Sequence, residues 1–426
     1  MENRSLNHQT RLYISWDAPH QGANVPVAYQ HANRHAYNLY LQSAIPYLLG
    51  GTSTFRIVRN ALTLIDQPAP RQMLMNRVLD NGQLDNSWHT TWQQELRNLG
   101  YPQLSRNVAV SNGSECGIGQ GFQPGATLFY FNGKANTRIL TDMIGSLGGM
   151  FMLGNLTGQP AFYLDILPGR NEFFFDFQCN AQPEGVTQQI YKGKITYRKV
   201  ILWLVNVSTT ITDRTRNSDL SVLPIDGTPG GMYDTELNLQ SSSFQNWAIK
   251  YNISASSIPQ FNFMPTVSSL DIGGGNTTLT INEYRASYVG ANPPGSPFNT
   301  PFANFTTAFN QVAVSNGSVN NNENHIQIAA RNGNFVAEEL NGNINVRTNC
   351  AAFCTNGVIS GNNPVCTSQT YAAPFATGAT YNWFVSDPSL ATLTQNGNSV
   401  LVSRNGKAAG QVTLSVSISG PAARLF

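Results

Sequence analysis

A chain of 426 residues is longer than one hydrophobic core usually organises, and the length predicts two to three domains. Its 25 Lys plus Arg against 23 Asp plus Glu, a net charge of +2, give no electrostatic case for nucleic acid or an anionic membrane. No apolar run approaches the ~20 residues of a membrane-spanning helix.

Taken in order, residues 11 to 26 open the chain as an apolar strand, Leu12 to Trp16, running into a polar turn from Asp17 to Asn24. A carboxylate and an imidazole delivered by a strand, with Pro19 and Gly22 shaping the turn, suit the rim of a site. Ala28, Ala32, Ala36 and Leu39 then recur at helical spacing to about Leu49, where Gly50 and Gly51 stop the pattern. Val58, Leu62 and Ile65 continue it until Pro68 and Pro70 break it, and Leu74 with Val78 begins another helical piece. Trp88, Trp92, Leu96 and Leu99 form an i, i+4 stripe with Ser87 as N-cap and Gly100 past the end.

From Arg106 the character changes. Val108 to Val110 is a strand running into Ser111-Asn112-Gly113-Ser114, and strands punctuated by turns follow from 126 to about 279. They include Thr127 to Phe131, Ala161 to Leu164, Glu172 to Phe177, Gln189 to Tyr191 and the run Val200 to Val207; Thr141 to Leu153 fits a poor helix or a close-packed strand equally. Ser221 to Asp234 reads as a loop, Phe261 to Ile272 as a strand with a proline kink, and 284 to 304 as a long surface loop. Asn324 to Ile328 is a polar turn entering a short strand, and Asn334 to Leu340 a helix stopped at Gly342.

Near residue 348 short strands begin to recur at roughly ten-residue spacing, as in a sandwich. They are Val358-Ile359, Val365 to Tyr371, Thr380 to Val385 with Trp383 inward, Ser399 to Val402 and Gln411 to Ile418. This stretch resembles the immunoglobulin-like or PKD-like modules of Bacteroidetes-type secreted proteins, modules that space or bind. Cys350, Cys354 and Cys366 lie close together without a second half for a zinc set, which favours a local disulfide or free thiols over a metal. The N-terminus lacks the apolar core of a signal peptide. Set against a composition low in Lys and rich in Asn, Thr, Gly and Ser, that leads to the expectation of a C-terminal part of a longer secreted or cell-surface protein, with Met1 an internal methionine.

The stretch RLYISWDAPHQGANVP resembles the sixth strand of an α/β-hydrolase of the lipase and esterase kind, and LGYPQLSRNVAVSNGS at 98 to 114 extends the likeness, which runs from about Leu6 to about Gly342. The resemblance implies an α/β plus all-β chain. Residues 1–345 would form a partial hydrolase-like domain, with a helical lid-like region at 26–100 and a β-rich insertion at 106–280, and 346–426 an immunoglobulin-like β-sandwich. It also implies a Ser nucleophile, a His base and an orienting acid. No serine has glycine at both flanking offsets; Ser146 comes nearest and reads as structural. His325, late in the domain before a helix, resembles the catalytic base; its other reading is an exposed loop histidine. Asp17 is the preferred acid, because a buried strand delivers it rigidly, and Asp271 the alternative; either could instead cap a turn. His20, Gly22 and Asn24 are expected to line the cleft.

Other patterns carry less. Gly117 to Gly121 lacks the Lys of a phosphate loop, and Phe173-Phe174-Phe175 lacks the basic neighbours of a single-strand platform and reads as core. No cofactor and no metal is expected. The leading expectation is the C-terminal portion of a secreted serine esterase or lipase acting on an ester or lipid-like substrate, inactive in this chain for want of the nucleophile elbow. The alternative is a non-catalytic secreted protein that binds a polysaccharide or cell-surface ligand.

Overall fold

The computed structural model describes residues 8–41, 66–114, 117–137, 169–201, 205–237, 239–245, 249–275, 279–286, 300–308, 312–313, 319–320, 322–343, 359, 361, 363, 365–373, 380–406 and 409–419. In chain order the elements are β1 (Leu12–Trp16), α1 (Val27–Leu41), α2 (Pro68–Met73), α3 (Ser87–Leu99), β2 (Arg106–Ser114), β3 (Thr127–Thr137), β4 (Gly169–Asn180), β5 (Gln189–Ile201) and β6 (Val205–Asn217). There follow β7 (Gly230–Asp234), β8 (Gln240–Gln245), β9 (Ile249–Ser257), β10 (Gln260–Pro265), α4 (Thr266–Ser269), α5 (Ile281–Arg285), β11 (Asn304–Ala308), β12 (Val312–Ala313), β13 (Val319–Asn320) and α6 (Ala330–Asn341). The last five are β14 (Ser368–Ala372), β15 (Thr380–Val385), β16 (Ala391–Asn396), β17 (Ser399–Arg404) and β18 (Leu414–Ser419). The architecture is mixed α/β with several sheets.

A parallel sheet of order β1-β2-β11 positions the site. Parallel strands are usually covered on both faces, and these are: Leu12, Ile14, Trp16, Val108 and Val110 pack with Phe335 of α6. From the other face Tyr13, Ala109 and Phe305 pack with Val267, Leu270, Ile272 and Phe302. Arg106 N–H donates to Arg11 O, and Asp17 N–H to Val110 O. The odd-numbered residues of β1 therefore bond to β2. The backbone groups of Leu12, Ile14 and Trp16 face the opposite edge, which no described strand covers.

Several sequence expectations shift. The expected helix to Leu49 is described only to Leu41, and Val58, Leu62 and Ile65 lie outside the described residues. Pro68 starts α2, where a first helical position needs no N–H. Leu74 and Val78 sit in isolated bridges with Ala23 and Leu84; local hydrophobic period could not foresee those distant backbone partners. The stripe on α3 faces outward in part, with Trp88 and Leu99 exposed. Its anchors are polar: Gln93 and Arg97 both donate to His20 O. Asn86, not Ser87, is the N-cap.

The β-rich stretch divides between sheets. β2 belongs to the parallel sheet, whereas β3 to β6, β8 and β9 form a six-stranded antiparallel sheet of order β6-β5-β4-β3-β9-β8. Strand alternation puts Phe173 and Phe175 in its core with Ile195 and Tyr197 and turns Phe174 to the opposite face, correcting the reading of all three as core. The run 200–207 is split between β5 and β6, whose Ile201 and Val205 face each other. The expected loop 221–234 ends in β7, which pairs antiparallel with β10. Pro265 ends β10 and opens α4, since it cannot donate to a ladder. Asn324 to Ile328 is a turn with one bridge, Met232↔Asn324, and no strand at 326–328.

Near the C-terminus β14, β17 and β16 form one antiparallel sheet and β15 and β18 another. Both contribute to one core through Tyr371, Val400 and Val402 from the first and Tyr381 and Trp383 from the second. Gln395 on β16 bonds both backbone groups of Trp383, tying the two sheets where no ladder runs. β16 is a strand that the expected set lacked. Cys366 is an exposed free thiol; Cys350, Cys354, Ser146, Thr141 to Leu153 and Ala161 to Leu164 lie outside the described residues. No helix among the described residues is long and apolar enough to cross a membrane.

Helix α1 docks on the antiparallel sheet through histidines. His35 Nδ1 lies 2.6 Å from Tyr191 Oη and its Nε2 2.7 Å from Thr212 Oγ1, while His31 stacks on Tyr191. Burial first, then Arg214 and Arg216, pushes His35 down to about 3; burial and Arg216 push His31 down to about 4. The unfolded chain titrates near 6.5 and so binds more protons than the folded chain below that pH. Stability is therefore lost as pH falls from about 6.5 toward about 4, by up to about 1.4 kcal/mol per pH unit for each histidine. Thermal unfolding across this range should show a falling midpoint; a flat profile would mean that the rings are hydrated and protonate freely.

Candidate functional site

The carboxyl ends of β1, β2 and β11 gather a polar cluster, the place where open parallel sheets most often hold ligands. β1 ends by presenting Asp17, whose side chain is fully buried and whose backbone has φ 41°. Asp17 Oδ1 accepts the Asn112 N–H at 3.0 Å. Its Oδ2 lies 2.8 Å from His325 Nδ1, across 308 residues of sequence, and the Ile326 N–H also bonds the carboxylate. Burial pushes the carboxyl up from its ordinary range, and His325 and the two backbone N–H groups oppose that rise. Ile326 has φ 54°, unusual for a β-branched residue. Two strained non-glycine residues thus stand at one hydrogen-bonded contact, at a cost of order 1–3 kcal/mol each.

The turn that carries His325 is fixed from three sides. His325 N–H donates to Met232 O at 2.8 Å, and its ring meets Phe263 edge to face at 5.0 Å. Glu323, buried, pairs with buried Arg331 at 2.6 Å and accepts Asn112 Nδ2–H at 2.8 Å. Arg331 also reaches Thr306 Oγ1. One charged pair therefore links β2, β11, the histidine turn and α6. Gly231 of β7 passes so close that a Cβ there would lie 2.2 Å from Asp17 Oδ2. Any side chain at that position would displace the carboxylate.

Chemically, an imidazole whose Nδ1–H donates to a buried carboxylate has Nε2 free to accept a proton. His325 is about one-quarter exposed, and no hydroxyl or thiol among the described residues bonds it. Buried hydroxyls of β2 and α4 are engaged with other groups: Ser111 with Ser269, Thr266 with Ser114 O, Ser268 with Gly22 O. Among the described residues no group of three or more His, Cys, Asp or Glu side chains could hold a metal ion.

The other expected site residues fall elsewhere. Asp271 is not beside His325. Its buried carboxylate takes Arg97 through both oxygens at 2.5 and 2.8 Å, Tyr101 Oη–H at 2.7 Å and Gln21 Nε2–H at 3.0 Å, so it is a structural anchor for α3. His20, Gly22 and Asn24, expected at a cleft, are buried against other parts of the chain. His20 Nε2 lies 2.6 Å from Ser15 Oγ, with its ring against Tyr101 and Phe302, and burial pushes it down to about 4. Gly22, at φ 104°, lies against Met75 and His89. Asn24 donates to Asp226 Oδ1 and Asn262 O. The alternation of β1 explains His20: Ser15 points to the face opposite Trp16, so its imidazole partner goes to the core.

Glu323, Arg331, Asn112, Phe263 and Gly231 were not foreseen as site residues. Glu323 and Arg331 stand eight apart on either side of the histidine, a charged pair in an otherwise charge-poor region, and that spacing was the one available signal. Removing one partner of the Arg97–Asp271 pair leaves a buried charge uncompensated. Arg97→Met should lower stability by about 3–5 kcal/mol, read by urea unfolding, and Asp271→Leu in the same background should restore most of it. No family model matches the chain, and no curated protein or solved structure shows significant similarity to it.

Proposed function

We propose that Asp17 and His325 are the acid and the general base of an acyl-transfer site of the serine-esterase or lipase kind. The observation that carries the reading is the 2.8 Å contact between two residues 308 positions apart, at the carboxyl ends of a parallel sheet, with the second imidazole nitrogen unengaged among the described residues. In this reading Asp17 holds the Nδ1–H tautomer and stabilises the imidazolium, and His325 Nε2 takes a proton from an attacking hydroxyl. Phe263 and half-exposed Tyr233, whose rings lie 5.9 Å apart, supply an apolar wall next to the base. An ester with an apolar substituent suits that wall.

The hydroxyl to be activated is not among the described residues that touch His325. The hydrolase resemblance implies that a nucleophile-bearing strand pairs beside the strand that carries Asp17, and the outward backbone groups of Leu12, Ile14 and Trp16 are an edge on which such a strand would pair. The C-terminal pair of sheets fits the immunoglobulin-like module of the same resemblance, and the composition fits a secreted or cell-surface setting.

Diethyl pyrocarbonate, an activated acyl donor, tests the base directly. Peptide mapping should show His325 acylated faster than buried His20, His31 and His35, and Asp17→Asn should slow it. In p-nitrophenyl ester hydrolysis by this site, Asp17→Asn should lower kcat about 10⁴-fold. A His325 acylated no faster than the buried rings would remove the basis of the reading.

A further inference from the structure

The face of the antiparallel sheet that carries Phe174 is a second candidate for binding, remote in character from the acid–base site. Cross-strand register aligns Ser243, Asn252, Lys134, Phe174, Thr196 and Thr210 in one rung across all six strands. The next rung reads Gln245, Lys250, Asn136, Glu172, Arg198 and Ser208. At the ordinary strand spacing such a rung spans roughly 24 Å. Except for Phe174, every side chain in it is polar.

The centre of this face carries excess positive charge. Glu172 is fully buried beneath Lys134 Nζ at 2.8 Å, Arg170 Nη2 at 2.6 Å and Arg198. The three cations keep 35%, 49% and 36% of their side chains exposed. Lys134 and Arg198 also sit 5.1 and 5.0 Å from the Phe174 ring centroid, which holds their heads in place. Lys250, exposed, has no ion-pair partner among the described residues. Elsewhere on the face charges cancel in pairs, Lys192 with Asp176 and Lys194 with Asp213.

We propose that this face binds an acidic polysaccharide, a chain of sugars bearing carboxylate or sulfate groups. The anionic groups would sit on Lys134, Arg170, Arg198 and Lys250. The sugar hydroxyls would meet Ser243, Asn252, Thr196, Thr210 and Ser208, whose hydroxyl and amide groups both donate and accept. A flat polar strip suits an extended polymer better than a small ligand, which needs a concave site. Nucleic acid fits less well, because its affinity comes from many phosphate contacts and stacked bases, and here the cations are few and the Phe174 ring is already occupied by them.

Gel retardation by polygalacturonate and by dextran sulfate, with neutral dextran and a single-stranded oligonucleotide alongside, tests the proposal. The protein should be retarded by one or both acidic polymers, less so at high salt, and not by neutral dextran. Arg170→Gln with Lys250→Gln should weaken retardation at least tenfold while leaving Glu172 held by Lys134 and Arg198, so that folding is kept. Asn252→Ala should weaken it further at low salt, and His325→Ala should leave it unchanged, separating this face from the acid–base site. Absence of retardation, equal retardation by neutral dextran, tighter binding of the oligonucleotide, or an undiminished Arg170→Gln, Lys250→Gln variant would each overturn the proposal.

Discussion

The buried carboxylate of Asp17 is the interaction on which the site depends. A carboxylate removed from water survives only if hydrogen bonds replace its hydration, and Asp17 finds three donors in two separate segments: Asn112 of β2, and His325 and Ile326 of the turn before α6. Meeting that demand sets the path of the chain. It holds the end of β1 in a left-handed conformation, requires glycine at position 231 and brings the histidine turn down onto the sheet. The same contact that satisfies the carboxylate orients the imidazole. Structural need and chemical use coincide in one hydrogen bond.

Two charged pairs tie down the elements around the parallel sheet. Glu323 with Arg331 ties the histidine turn to β2 and β11, and Asp271 with Arg97 ties α3 to the turn that follows α4. Both are buried or nearly so, and such pairs specify geometry more surely than they add stability. In a chain with only 11% charged residues, ions placed inside have structural work to do. The exposed cations gather instead on the Phe174 face of the antiparallel sheet, and the two regions differ in chemistry accordingly: one is a dry acid–base pair beside aromatic rings, the other a wet polar strip with surplus positive charge.

What the sequence made legible follows from the range of the interactions involved. Period-two and period-3.6 patterns located β1, β2, α3, α6 and most of the C-terminal strands, because those signals are local. The likeness of the opening stretch to a hydrolase strand pointed to Asp17 and His325, and the structure puts the two side chains in contact. Composition could not separate Asp17 from Asp271, since both come after apolar stretches near glycine; only the fold shows that Arg97 and Tyr101 occupy the second. His20, Gly22 and Asn24 looked like a rim because they lie in a polar turn, yet tertiary partners bury all three. The division of the β-rich stretch between a parallel and an antiparallel sheet depends on pairings more than ninety residues apart, such as Ile14 with Val108 and Val108 with Asn304, and no local pattern records those.

The protonation state of the His325 ring tests the central claim most directly. Nitrogen-15 NMR of the folded protein at neutral pH should show Nδ1 carrying the proton that Asp17 accepts and Nε2 unprotonated, with the tautomer balance changed in Asp17→Asn. A neutral ring protonated on Nε2 instead would leave His325 unable to act as a base toward a hydroxyl, and would reduce the Asp17 contact to a structural one.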